Sequence, residues 1–222
     1  RMTLNQNNYF KNNFESLSDN VNFTEIEQNT FVTKSKINIS KNSIIKKNQK
    51  IIFDQNSSIN ITNNSTLFIE GQIVFDNNID NLTQISSDDG TGSLIFFENR
   101  YDLKNLVFKN LSKPILNNFI LYGGVNFINS EVYLDNVYIK DSNNEDGINI
   151  INSDSEISNI YFENIKADAF DIDFGRLNFD NIKCKNINND CLDISGADVS
   201  GINILSINTL DKGISVGENS KV

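Results

Sequence analysis

Five segments of this chain superpose on one another, and that repeat constrains its fold more than any other feature. GGVNFINS from Gly123, DGINIINS from Asp146, DAFDIDFG from Asp168, DCLDISGA from Asp190 and KGISVGEN from Lys212 start 23, 22, 22 and 22 residues apart. A fixed period of about 20 to 50 residues is the mark of stacked supersecondary units, each contacting only its neighbours. The columns have physical content. The second (Gly124, Gly147, Ala169, Cys191, Gly213) is always small, as a crowded corner requires. The third (Val125, Ile148, Phe170, Leu192, Ile214) and fifth (Phe127, Ile150, Ile172, Ile194, Val216) are apolar, and the fourth (Asn126, Asn149, Asp171, Asp193, Ser215) is short and polar. That alternation is a strand with one buried face.

A second strand recurs within the same period, at NVYIKD from Asn136, NIYFEN from Asn159, NIKCKN from Asn181 and GINILS from Gly201. Its inward columns are Val137, Ile160, Ile182, Ile202 and Ile139, Phe162, Cys184, Ile204; outward, Lys140, Glu163 and Lys185 alternate in sign. A third, weaker strand fits residues 132–134, 155–157, 177–179 and 197–199. Three strands in about 22 residues leave no room for helices. The expected fold is all-β: a parallel β-helix whose three-strand rungs, stacked about 4.8 Å apart, place like residues above one another.

Before the repeat, residues 1–29 show no rung pattern. Leu4, Tyr9, Phe10, Phe14 and Leu17 loosely suit a short amphipathic helix, read as a cap over the open N-terminal end. Residues 30–222 form the solenoid domain. Its first narrow rungs place Ile37, Ile39, Ile44, Ile51, Phe53, Ile59, Ile61, Leu67, Ile69, Ile73 and Phe75 between Asn, Ser and Gly punctuation. Residues 77–93 read as a loop, in which Asp88-Asp89-Gly90 is either a solvated turn or a cation site. The step from Asn105 to Asn136 is 31 residues, longer than a rung, and the excess lies around 112–122. Irregular loops on rigid scaffolds are where function concentrates; a tolerated surface insertion is the other reading. The chain stops at Val222 partway into a rung and shows no secretory signal at Arg1, so it is expected to be part of a longer polypeptide.

The net charge of −10 argues against nucleic acid and against an anionic membrane surface as partners, and no apolar run approaches transmembrane length. It leaves room for a cation such as Ca²⁺. No other cofactor is implied. Abundant Asn suits stacked turns, because its amide bonds along a ladder and tolerates the left-handed conformation.

The acidic columns carry the candidate chemistry. Asp146, Asp168 and Asp190 share one corner, where each accepts backbone N–H groups in an Asx-type turn or joins a Ca²⁺ or saccharide site. Lys212, one rung above Asp190, closes that column. Asp171 and Asp193 point outward a few positions later, with Asn149 in their column and Asp173 beside them. Paired carboxylates are what glycoside hydrolysis needs, and Arg176 is the one Arg placed to meet a uronate. No His is present to shuttle protons. Tyr138 and Tyr161 share an outward column below Lys183, as a sugar-stacking platform or a cross-rung aromatic pair. Cys184 and Cys191 fall in inward and small-residue columns, as packed thiols or a disulfide.

The rungs EDGINIINS, DAFDIDFG, NDCLDISG and LDKGISVGE, with the opening NQKIIFDQNSSINITNNSTLFIEGQI, resemble a group of bacterial right-handed parallel β-helix repeat proteins. Some of that group are attached to spore-coat-kinase-like domains, and pectate-lyase-like β-helices are more distant. The resemblance spans residues 30–222 and implies the fold. Of the Asn-Thr-Asp, Asp-Asp and Gly-His-Gly set that polygalacturonases use, this chain has only Asn189-Asp190 and the Asp171/Asp173 pair. By fold analogy the expected role is a non-catalytic, extracytoplasmic module that binds or displays carbohydrate at a cell surface. An enzyme on acidic polysaccharide using Asp171, Asp173, Asp193 and Arg176, and a purely structural stalk, are the alternatives.

Overall fold

The parity that the columns impose is realised rung by rung. In the computed structural model, which describes residues 13–20, 22–116, 120–142 and 146–222, the chain is a parallel β-solenoid of about eight turns. Each turn contributes one strand to a leading sheet (residues 123–128 and equivalents), one to a middle sheet (131–134) and one to a trailing sheet (137–140). Val125, Ile148, Phe170, Leu192 and Ile214 pair in register, as do Phe127, Ile150, Ile172, Ile194 and Val216. All but the terminal Ile214 and Val216 are fully buried along the axis. Burying one such side chain is worth about 1.5–3 kcal/mol, which makes this stack the main source of cohesion.

Single residues turn the corners. Asn152 (φ 48°), Asn159 (φ 51°) and Asn164 (φ 59°) interrupt the otherwise continuous strand Asp146–Ile165. Among the described residues, fifteen of the eighteen non-glycine positions with positive φ are Asn; the exceptions are Glu98, Asp141 and Phe174. Asn tolerates this conformation, and its amide then bonds to the rung before. Asn181 Nδ2 donates to Asn159 Oδ1 at 3.2 Å, and Asn208, Asn186, Asn164 and Asp141 form a second ladder at 2.9–3.1 Å, each amide donating to the rung before. Asn181→Ala is therefore expected to cost about 1–2.5 kcal/mol, from a left-handed Ala plus a lost amide bond. Asn181→Gly removes only the bond, so urea unfolding of both variants separates the two contributions; equal losses would refute the conformational part.

Two strands sit differently from their expected register. Ile182 pairs with Ile204 and Cys184 with Ser206, so the last trailing strand is shifted by two residues, and Ile202, opposite Asp180, is 63% exposed. In the middle sheet Leu177 likewise pairs with Val199, and Ala197 faces Gly175. Outward on the trailing sheet, Glu163 meets Lys185 at 2.9 Å and Lys140 at 3.9 Å, the alternating row that the sequence gives.

At the N-terminal end, Leu4, Tyr9 and Phe10 lie outside the described residues. Phe14 and Leu17 are buried, but not by an α-helix. Glu15–Ser16 pairs with Ser43–Ile45, Leu17–Asp19 is a 3₁₀ turn, and Thr24–Glu27 forms a hairpin with Thr30–Thr33. Edge pairing satisfies this backbone directly, Glu15 N–H donating to Asn42 O at 3.0 Å. Of the early apolar residues, Ile44 faces outward, into a second cluster with Phe68, Ile95, Phe97 and Ile128. Phe14 and, from the insertion at 112–122, Leu116 and Leu121 cover that cluster. Leu116 and Leu121 thus cover part of the outer face of the leading sheet.

Candidate functional site

That outer face changes character along the solenoid. One column reads Ile44, Phe68, Ile95, Asn126, Asn149, Asp171, Asp193, Ser215; the column beside it reads Phe97, Ile128, Ile151, Asp173, Ser195. The first rungs are apolar and covered, whereas later rungs form a polar trough. Asn126 and Asn149 are buried, and Asp171, Asp173 and Asp193 are half-buried rather than standing out into solvent as a bare outward column would. The stack of neighbouring polar side chains on both sides withdraws them from water.

Inside the trough, Asn149 Nδ2 donates to Asp171 Oδ2 at 2.6 Å and lies 3.4 Å from Asp173 Oδ2. Asn149 is 1% exposed, and its Oδ1 has no hydrogen-bond partner. Burial, then the carboxyl groups of Asp173, Asp146, Asp193 and Asp168, push Asp171 up to about 8. Burial also raises Asp173, opposed by the Asn149 bond and reinforced by Asp193. Asp168 is raised by burial, opposed by the backbone N–H of Asp190 and reinforced by Asp193 and Asp190.

The corner carboxylates work along the stack. Asp168 Oδ1 accepts from Asp190 N and Asn189 Nδ2, both at 2.8 Å; Asp190 Oδ1 accepts from Lys212 N at 2.8 Å, with Lys212 Nζ 3.9 Å away. Asp146 is buried at the same corner. Among the described residues, no three Asp, Glu, His or Cys side chains are arranged to hold a metal ion. The Asp88–Gly90 loop is likewise closed on itself. Asp89 takes bonds from Asn63 N, Ser87 Oγ and Thr91 N and Oγ, and Asp88 from Asn60 Nδ2. Desolvation, the largest single influence, raises Asp89, but those donors together outweigh it and hold the group at about 2.

Other candidates lie apart from the trough. Arg176 is around the next corner, on the middle sheet, forked onto Asp154 with Nε–Oδ1 at 3.0 Å, and its remaining electrostatic neighbour is Asp198. It contributes to neither Asp171 nor Asp173. The four carboxylate and Arg candidates therefore do not form one site, because the turn at Phe174 and Gly175 separates Asp173 from Arg176. Tyr138 and Tyr161 stack at 4.7 Å with an 11° interplanar angle, and Lys183 Nζ lies 5.2 Å over Tyr161. Tyr161 is sandwiched, so a sugar could stack there only by displacing the ammonium. Cys184 and Cys191 form a buried disulfide, Cα atoms 5.8 Å apart.

Asn149 is among the candidates that the polar column supplies, whereas Phe174, at the corner after Asp173, is not singled out by acidic patterning. Asn149 matters for its unsatisfied carbonyl, which only coordinates reveal. Phe174 continues the corner column Asn129, Asn152, Phe174, Gly196, the seventh column of the repeat, where an aromatic among Asn and Gly is the legible signal.

Fold and site together define a parallel β-solenoid with a half-buried carboxyl trough on its leading face. No protein-family model and no curated protein sequence matches the chain. Among solved structures it is similar to the periplasmic alginate epimerase AlgG, at 10% identity and a TM-score of 0.25, over 91% of this chain and 83% of that one. At that score the similarity carries no argument about activity. Among the described residues, no helix is long and apolar enough to cross a membrane.

Proposed function

We propose that this chain is a non-catalytic, extracytoplasmic module that binds carbohydrate in the trough formed by Asn149, Asp171, Asp173 and Asp193. The observation that carries this reading is the buried Asn149 amide, bonded to two carboxyl groups through Nδ2 while its Oδ1 has no partner. Buried polar atoms are normally satisfied, and an orphan acceptor beside converging carboxyl groups is a place for hydroxyl groups. The preferred ligand is a neutral glycan. A uronate would meet the carboxyl groups of Asp173 and Asp193, while Arg176 is engaged by Asp154 and Lys212 by Asp190 and Asp211. The buried Cys184–Cys191 disulfide supports an oxidising, extracytoplasmic setting.

Calorimetric titration with neutral oligosaccharides and with uronate oligomers, each with and without Ca²⁺, tests this. Binding of a neutral glycan, weakened at least tenfold (about 1.4 kcal/mol) in Asp171→Asn/Asp193→Asn, is expected. No heat from any glycan would reduce the module to a structural stalk. Binding of uronates alone, or only with Ca²⁺, would overturn the ligand assignment.

A second reading has one observation in its favour. A carboxyl that keeps its proton to about 8 beside further carboxyl groups is the pairing that a glycosidase uses for its general acid. New reducing ends in the same incubations, lost in Asp171→Asn, would establish that reading over the first.

A further inference from the structure

Phe174 occupies a backbone conformation that its side chain disfavours. It has φ 58°, in the corner column where the neighbouring rungs carry Asn129, Asn152 and Gly196, and the residue is 58% exposed. A bulky residue with positive φ is strained and persists where its surroundings enforce it. Here the surroundings make room for the ring. Gly196, one rung on, lies directly against it: an added Cβ would sit 2.8 Å from Phe174 Cδ1. Asn in this position would turn the corner without strain and extend the amide ladder that Asn152 and Asn129 form at 2.7 Å. Strain, exposure and an interrupted ladder are all retained at the position that directly follows Asp173. Phe179 over Gly201 shows the same aromatic-on-glycine contact between the same rungs, but there the backbone is ordinary and the ring is half-buried. Covering glycine therefore does not account for Phe174.

Resting on the reading that the trough binds neutral glycan, we infer that Phe174 is its stacking subsite. The ring receives the C–H face of a pyranose whose hydroxyl groups reach Asp173 and the Asn149–Asp171 pair. An exposed apolar face beside a few converging polar groups is the composition of a sugar site.

The test compares wild type, Phe174→Asn and Phe174→Tyr by calorimetric titration with neutral oligosaccharides and by thermal unfolding. Phe174→Asn is expected to keep or raise the melting temperature, because it relieves the left-handed strain, while weakening binding at least tenfold. Phe174→Tyr retains binding within about threefold, since the aromatic face is kept. Equal binding by wild type and Phe174→Asn overturns the stacking role and leaves the trough intact. A lower melting temperature in Phe174→Asn overturns it too, by making the ring a cover for Gly196, and so does a Phe174→Tyr variant as weak as Phe174→Asn. If wild type binds none of the neutral glycans, the parent reading and this one fall together.

Discussion

Asp171→Asn is expected to stabilise the fold at pH 8 by roughly 2–4 kcal/mol and to leave it nearly unchanged at pH 4. Burial and four neighbouring carboxyl groups raise Asp171 from 3.8 to about 8. A carboxyl whose folded pKa lies above its unfolded value keeps a proton that the unfolded chain releases. Its favourable contribution is complete below about 4 and is lost as pH rises through 8. Wild type should therefore weaken across that window, and the amide, which never ionises, should not weaken through this position. Asn can still accept the Asn149 Nδ2 bond, so the substitution removes the charge while preserving the contact. Asp168 and Asp173 are raised in the same direction, so a shallower slope remains in the variant. Urea unfolding at pH 4, 6 and 8, followed by circular dichroism, measures this. Equal destabilisation of the variant at all three values would show that Asp171 is ionised in the folded protein and that the trough is open to water.

The axis of the solenoid was readable from residue order because parallel stacking repeats parity. Once Val125, Ile148, Phe170 and Leu192 are aligned, every residue between them has an assigned side, and the pairing follows that alignment. The same logic explains the slip at 201–206. Alternation with a period of two is unchanged by a two-residue shift, so GINILS fits the strand pattern equally well in either register. The corner Asn fixes the choice. Aligning Asn136, Asn159, Asn181 and Asn203 by their shared left-handed turn gives the observed pairing, whereas hydrophobicity does not. The trough was legible in composition but not in environment. Asp171 and Asp193 fall in a polar column, yet their withdrawal from water rests on the polar side chains stacked beside them, the amide of Asn149 among them. Arg176 follows Asp173 by three residues, but the positive-φ pair Phe174 and Gly175 rotates the chain onto another sheet, a change that spacing alone cannot register.

That corner also bears the largest expected effect of a single methyl group. Gly175→Ala should cost about 3–5 kcal/mol. Gly175 has φ +110°, outside the left-handed well that Asn uses, and an added Cβ would lie 2.2 Å from Ser153 O and 2.8 Å from Ser153 N. Those atoms belong to the backbone of the adjacent rung, which is held by pairing on both sides and cannot rotate away as a side chain could. Relief requires the two rungs to part locally, which would stretch the neighbouring Asp154–Arg176 pair. Gly196→Ala supplies the contrast. At φ +63° an Ala is tolerated for about 1–2 kcal/mol, and the obstacle is the ring of Phe174, which can move. The cost at Gly196 should shrink when Phe174→Asn is combined with it, a coupling measurable in a double-mutant cycle, whereas the cost at Gly175 should not change. Comparable losses at the two glycines would mean that the rungs yield as readily as a side chain, and the rigid stacking on which the trough depends would have to be abandoned.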